Sequence, residues 1–538
     1  MHSVKNIEGS YANLRSYWLF LILGLFLAGC QVNQQVSTPV PLATTILSAP
    51  TRPIPQVATV AEITPQTAVP TTTPSPTAAP TSTPLPVIRL AVPDQWQDRA
   101  ELAVNHLNQE SSVREWRLVS QGATADIQLI NEAGHLIVEQ QPLALTVPFT
   151  TEWEDTTNEN AQKIISQGHD LVTLMPWSEI PPTHKALRID GRFPTDADYP
   201  LQEVWSLQTT PGFKQAAADL QLTLRNDGED SVVHLVAVGD IMLDRSLGYA
   251  LEQGNIDYPF AALSSSLQEA DLTIGNLESA LGDIGEPAAK RYQFRAPPEA
   301  AEALASAGFD ILSLANNHAL DFGPQVLLQA IGLLDDQGIA TAGAGDNAQA
   351  AHMPAFEEVN GLKLAFLSYA HVPVEATTGF DTATWTATEH SPGIAWADPE
   401  QITADVTAAR AQSDLVVVLL HSGYEYVLAP SEPQITAARA AIDAGANLVI
   451  GHHAHILQGV EYYGDGVIIY GTGNFAFEID GDPQTALFHI WMDQQGVRQI
   501  EIQPAIIQFG GQPRLADASE SPAILGQVYY LTNILNSR

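Results

Sequence analysis

From Val232 onward the chain repeats one pattern: a run of apolar, β-type residues that stops at a polar side chain. The run from Leu235 to Val238 leads to Asp240. The run from Leu272 to Gly275 leads to Asn276-Leu277-Glu278, and that from Ile311 to Ala315 leads to Asn316-Asn317-His318. Further on, Leu415 to Leu420 ends at His421, Leu448 to Gly451 at His452-His453-Ala454-His455, and Val467 to Gly473 at Asn474. Near-continuous apolar strands are those buried on both faces. Between them the spacing predicts helices over 297–308, 323–338, 399–411 and 432–445, the first two with Pro near the start and Gly at the end. Strands alternating with helices predict an α/β fold. In such sheets the residues after the carboxyl ends of the strands gather on one rim.

One aspartate or histidine at a strand end is commonly a turn former or a hydrogen-bonded core group. Six strand ends that each carry a carboxylate, imidazole or amide point to a cation. His453 and His455 are alternate residues, and on an extended segment alternate residues share a side, so both can face one ion. Zinc and manganese accept imidazole, and carboxylates complete such sites. Cys30 is the only cysteine, which excludes an internal disulfide and any cysteine-based zinc site.

Upstream, Val87 to Ala91 alternates like a strand, a helical stretch follows over 97–108, and further strands are expected over 125–130 and 141–147. Residues 87–230 therefore read as a small α/β domain ahead of a larger domain at 231–538. Residues 30–86 are dominated by Pro and Thr with almost no charge, a composition that cannot bury a core and reads as a stalk. Residues 1–29 combine Lys5 and Arg15 with a short apolar run ending in Leu27-Ala28-Gly29-Cys30. That is a signal peptide with a lipobox-like end, Cys30 being the lipidated residue. The expectation is a lipoprotein outside the cytoplasmic membrane, anchored by its N-terminal lipid. With 61 acidic against 23 basic residues, a net charge of −38, the chain is a poor nucleic-acid binder.

The strand-end motifs, in order, resemble the CapA family of capsule and poly-γ-glutamate synthesis. The resemblance runs from about Val232 to Gly510 and is carried by Gly239-Asp240-Ile241-Met242, Asn276-Leu277-Glu278, Asn316-Asn317-His318 with Asp321, His421 with Glu425, Gly451 to His455, and Gly473-Asn474. It implies a calcineurin-like metallophosphatase sandwich, two β-sheets between helices, holding one or two divalent metal ions (Mn, Zn, Fe or Mg). By position, Asp240 and His455 would bind a first metal, Asn317, His421 and His453 a second, and Glu278 would bridge them. His318 would protonate the leaving group, with a metal-bound hydroxide as nucleophile. Glu425 and Asn474 would support the ligands from behind. Three departures stand out: Met242 occupies a position where ordinary metallophosphatases place histidine, Asn276-Leu277-Glu278 replaces an aspartate motif, and Ser422 follows His421 where tryptophan is frequent. The first two leave the first metal with fewer obvious ligands.

The middle stretch Lys185 to Thr195, with Tyr199-Pro200-Leu201 after it, resembles segments of periplasmic phosphate-binding-type solute receptors. A packing or spacer domain is the plainer reading, because the region has about half the length of a two-lobed receptor. Arg291 and Arg295 are conspicuous in so acidic a chain; either they grip substrate anions or they are solvated surface charge. Three functional readings follow. One is a surface-anchored metal-dependent hydrolase acting on an anionic polymer or a phosphorylated intermediate. Another is a non-catalytic assembly or polymer-export factor contacting capsule synthase subunits. The third is a solute-sensing lipoprotein. A leaving-group acid at His318 serves only the first.

Overall fold

The computed structural model describes residues 84–225, 231–478 and 481–537. The expected signal peptide, the expected lipidation site Cys30 and nearly all of the expected stalk lie outside them, as does the expected boundary near Asp230. Among the described residues no helix is long and apolar enough to cross a membrane.

The strand Leu415–Ser422 shows how the large part is built. Its alternate residues enter two different cores: Leu415, Val417 and Leu419 one, Val416, Val418 and Leu420 the other. A strand with both faces covered has no solvent-facing position, and all eight of its residues are buried. It belongs to a six-stranded sheet with Leu362–His371, Leu448–His452 and Gly466–Ile469 parallel to it and antiparallel edges at Ala355–Val359 and Val460–Tyr463. A second, seven-stranded sheet runs Ala340–Ala342, Ile311–Ser313, Leu272–Leu277, Val233–Ile241, Gln484–Asp493, Gly496–Ile507, Pro513–Leu515. Its first four strands are parallel and its last three antiparallel.

The two sheets share one buried cluster, to which Leu235, Ile274, Phe488 and Ile490 contribute from one side and Phe366, Leu419, Ile450 and Ile469 from the other. Helices Arg245–Glu252, Glu299–Ala307 and Pro324–Asp336 cover the outer face of the seven-stranded sheet. Helices Pro399–Arg410 and Glu432–Asp443 cover the outer face of the other. The architecture is mixed α/β with several sheets, and four helices fall where their apolar spacing predicts. Gly308 ends the helix Glu299–Ala307 in the left-handed region at φ +97°, which a residue with a Cβ resists.

Residues 84–225 form their own seven-stranded sheet, with the path Glu115–Val119, Val87–Ala91, Ile127–Asn131, Gln202–Thr209, Ile137–Pro148, Thr173–Pro176 and His184–Ala186 also paired to Ile137–Pro148. Helices Gln97–Glu110 and Lys214–Leu224 pack around Trp96, Trp116 and Trp205. The sheet is not isolated from the larger part. Phe193 stacks on Trp491 with ring centres 4.3 Å apart. Arg188 holds Glu501 through two nitrogens at 2.8–3.0 Å. Lys185, 2% exposed, reaches Glu154 and the hydroxyl of Tyr529, the latter at 2.8 Å. The described residues from 84 to 537 thus pack as one compact unit.

Candidate metal centre

Each chemically active side chain sits where a buried strand runs out. Asp240 is the penultimate residue of Val233–Ile241, next to a register shift against Leu272–Leu277. Its backbone is stitched to the turn after Gly466–Ile469: Asp240 N–H donates to Gly473 O at 2.9 Å and Phe475 N–H to Asp240 O at 2.8 Å. A Cβ on Gly239 would lie 2.1 Å from Gly473 O, so this close approach needs glycine. Glu278 follows Leu272–Leu277, His421 lies in Leu415–Ser422, and His453 and His455 follow Leu448–His452.

Glu278 is the hub. Its oxygens and the ring nitrogens of His421 and His453 form one compact group, and Asp240, Glu278 and His455 form another, all ligand-type atoms within 4.8 Å of one another in each. His421 Nε2 lies 3.5 Å from Glu278 Oε1, and His455 Nδ1 lies 3.8 Å from Glu278 Oε2 and 3.4 Å from Asp240 Oδ2. Asn317 Oδ1 is 2.7 Å from His421 Nε2. Asp240, Glu278 and His421 are fully buried, and His453 and His455 nearly so.

His453 and His455 do not share one face of a strand. The strand stops at His452, and both histidines adopt left-handed backbone, φ +82° and +56°. The turn sends them to different groups around Glu278, so the expectation that both face one ion is corrected. Residues with a Cβ are rarely left-handed, and such strain gathers at functional sites.

The electrostatics favour a cation. Both oxygens of Glu278 are buried without a hydrogen bond, and so is Nδ1 of His453. Burial and the neighbouring Asp240 carboxylate push Glu278 well above the usual carboxylate range. Burial and His455 hold His453 down at about 3. Burial, followed by the surrounding histidines, depresses His421 strongly. Burial also pulls on His455, but Glu278, a hydrogen bond to Asp240 and the charges of Asp240 and Glu425 outweigh it and raise it to about 10. A charged Asp240 beside Glu278, whose own charge burial resists, with imidazoles on either side and both Glu278 oxygens unbonded, forms a donor set suited to a divalent cation.

Behind the donors lies a supporting layer. Asn474 Oδ1 is 2.8 Å from His455 Nδ1. Asn276 Nδ2 donates to Asp240 Oδ1 at 2.8 Å and lies 3.1 Å from His421 Nδ1. Glu425 is exposed and reaches the centre through its charge. His318 Nε2 approaches Glu278 Oε1 to 4.0 Å while its Nδ1 is 2.6 Å from Asp321 Oδ2. Lys290 Nζ sits 2.9 Å from Asp321 Oδ1 and donates to the Asn317 carbonyl. Burial holds His318 below its ordinary value even though Asp321 opposes this.

Asp321 and Asn276, quoted in the sequence motifs without a role, take part in this layer, and Lys290 is an addition to the residues read from sequence. For Asp321 the signal was available: it follows His318 by three residues. Arg291 and Arg295 lie in the neighbouring segment. Arg295 bonds the carbonyls of Ile284 and Gly285 and packs 3.6 Å over Phe322, so it clamps a loop. Arg291 rests over Tyr292, with its backbone N–H donated to Glu375.

Fold and site together define a mixed α/β protein with a buried cluster of side chains at the strand ends that could hold a metal ion. Residues 234–479 match the family described as "Bacterial capsule synthesis protein PGA_cap". The chain is 30% identical over 311 residues to the capsule biosynthesis protein CapA of Bacillus anthracis, an alignment covering 56% of this chain and 74% of that one. It is 32% identical over 281 residues to the PGA biosynthesis protein CapA of Bacillus subtilis, covering 51% and 72%. A Mycobacterium tuberculosis protein named "Probable polyglutamine synthesis accessory protein" is 30% identical over 220 residues, 39% of this chain and 57% of that one. This chain belongs to the PGA_cap family of bacterial capsule synthesis proteins.

Proposed function

We propose that the protein is a metal-dependent hydrolase of capsule or poly-γ-glutamate biosynthesis, built on a calcineurin-like metallophosphatase sandwich. The observation that carries this reading is Glu278: a buried carboxylate without hydrogen bonds, between Asp240 and His455 on one side and His421 and His453 on the other. Asp240, Glu278 and His455 would hold one ion, and Glu278, Asn317, His421 and His453 another. When bound, such ions act as Lewis acids and acidify coordinated water. The chain's own residues divide the remaining work. Asp321, fixed by Lys290, engages Nδ1 of His318 and so orients the ring with Nε2 toward the Glu278 side. With Nδ1–H given to Asp321, Nε2 of the neutral ring is an acceptor; a proton it takes up there makes a charged ring that Asp321 stabilises, and is then available to a leaving oxygen or nitrogen. Phe294, stacked on His318 at 4.2 Å, and Phe477, against His455 at 5.4 Å, keep water from the inner walls.

The substrate would be an anionic polymer or a phosphorylated intermediate of its synthesis, and the protein would be held outside the cytoplasmic membrane by lipid on Cys30. The test is elemental analysis of the purified chain paired with turnover of phosphoesters and γ-glutamyl polymers. Metal without turnover of either class sinks the hydrolase. For the anchor, Cys30→Ala should abolish incorporation of a fatty-acid analogue in cells; equal labelling of variant and parent removes the lipoprotein from the proposal. The word "accessory" in the mycobacterial relative's name favours a second reading, a non-catalytic assembly or export factor working with synthase subunits. Under that reading, replacing His318 leaves polymer production unchanged.

A further inference from the structure

Arginine is scarce in this acidic chain, and Arg89, Arg188, Arg498 and Arg514 are each bound to a carboxylate. Arg245 is different. Its guanidinium meets no carboxylate among the described residues, and its side chain is exposed. It opens the helix Arg245–Glu252 with φ +53°, left-handed backbone in a residue with a Cβ. Asp244 caps that helix and also accepts the backbone N–H of Arg295 at 3.0 Å, which fixes the turn from the other side.

The position of the side chain gives this strained turn its meaning. The Arg245 guanidinium lies 5.3 Å over the ring of Phe294, and its Nη1 donates to the carbonyl of Glu478 at 2.9 Å. Phe294 is the ring stacked on His318, and Phe477, the neighbour of Glu478, packs against His455. The two phenylalanines also touch edge to face, with ring centres 6.1 Å apart. One guanidinium without an ion pair among the described residues thus covers Phe294 and bonds the carbonyl next to Phe477, at the outer side of the aromatic pair that walls His318 and His455. The ring beneath holds its plane by a cation–π contact and leaves part of the donor fork open. Arg295, the more obvious choice from sequence, has its guanidinium committed to the 284–285 loop. Beside Arg245 the surface opens into a cavity of about 580 Å³ bordered by Tyr249, Gln253 and Tyr258, room for further units of a chain-like ligand.

We propose that Arg245 is the specificity-determining residue of this site. It grips a planar pair of anionic oxygens on the substrate at the Phe294 wall of the site. The proposal rests on the hydrolase reading above. Two sources supply that chemistry: the carboxylate of an acidic polymer unit and the non-bridging oxygens of a phosphoester.

The experiment compares the full chain with Arg245→Ala, Arg245→Lys and Arg245→Gln, measuring binding of a short γ-glutamyl oligomer and of phenyl phosphate by calorimetry. A charge-assisted, two-pronged contact contributes enough that its loss should weaken binding about 10- to 100-fold. Arg245→Lys should recover part of it. Arg245→Gln keeps a stem and a donor for Glu478 without the charge, and should bind as weakly as Arg245→Ala even if the alanine variant folds poorly. The probe whose affinity falls identifies the anion. Metal content and melting temperature should match the parent. Equal affinity of parent and Arg245→Gln for both probes overturns the proposal, and so does a parent that binds neither. A parent that binds but turns over neither probe, with weaker binding by the variants, defeats the hydrolase and leaves the arginine's role standing.

Discussion

Histidines a few ångströms apart in this centre should respond differently to removal. His421 and His453 each complete the same group around Glu278, so His421→Ala or His453→Ala opens the donor set and should lower bound metal substantially. His318 has Nδ1 turned to Asp321 and belongs to neither group. His318→Ala should therefore keep its metal and lose about 10²–10⁴-fold in rate. Elemental analysis and turnover on all three variants check this; if His318→Ala empties the site as fully as His453→Ala, the division between ligand and acid is wrong. Asp240, Glu278, His421, His453 and His455 were legible because each ends a buried apolar run, and a polar group there must answer to something chemical. Lys290 as a partner of Asp321 was not, because the loop that brings it back obeys no periodicity. Arg245 escaped for a related reason: its importance lies in a φ angle and in the ring beneath it.

At the scale of elements, the parallel strands and their covering helices were written plainly in the chain, since strands buried twice over admit no polar interruption. The segment after His452 was not, because the left-handed turn that separates His453 from His455 has no glycine to announce it. Neither was the closing hairpin Gln484–Asp493 with Gly496–Ile507, nor the helix Ser521–Asn536, which begins at Glu520 without a side-chain cap. Strand spacing also fixes one residue that carries no chemistry. A Cβ on Gly451 would stand 2.0 Å from the carbonyl oxygen of Tyr470, across the junction of Leu448–His452 with the segment after Gly466–Ile469. Gly451→Ala should force these apart at a cost of about 1–3 kcal/mol. It should also displace His453, two residues on. The expected result is a lower denaturation midpoint together with lower metal content; a variant that melts like the parent with full metal would show that the backbone there can yield.

Across the whole molecule, the joint between residues 84–225 and the rest is polar at its rim and aromatic at its centre. Lys185 is its most deeply buried charge. Lys185→Ala leaves Glu154 and the Tyr529 hydroxyl bonded only to each other, and should cost about 1–3 kcal/mol, less than the loss of one partner from a fully buried pair because Glu154 is partly exposed. Lys185→Met, which keeps the stem, should recover part of that in urea titrations. The joint should also weaken in acid. His234 and His489 lie 3.1 Å apart beside Trp491; burial, then His489, holds His234 at about 4, and burial lowers His489 too. Groups depressed in the folded state stabilise it fully above their unfolded value, about 6.5 for histidine, and that stability drains away as pH falls toward 4. Unfolding at pH 7, 5.5 and 4.5 should show the loss, and His489→Gln should shrink the pH dependence; an unchanged slope would absolve this pair. A last consequence follows from the stitching of Asp240 to Gly473 and Phe475. Those partners are separated by roughly 230 residues, which a ribosome emitting about 5–20 residues per second needs roughly 10–50 s to deliver. His421 follows Asp240 by roughly 180 residues and His455 by roughly 215, so the full donor set exists only when nearly all of that span has been made. An ion held by both groups around Glu278 would therefore be a late arrival, taken up once nearly the whole polypeptide has been made.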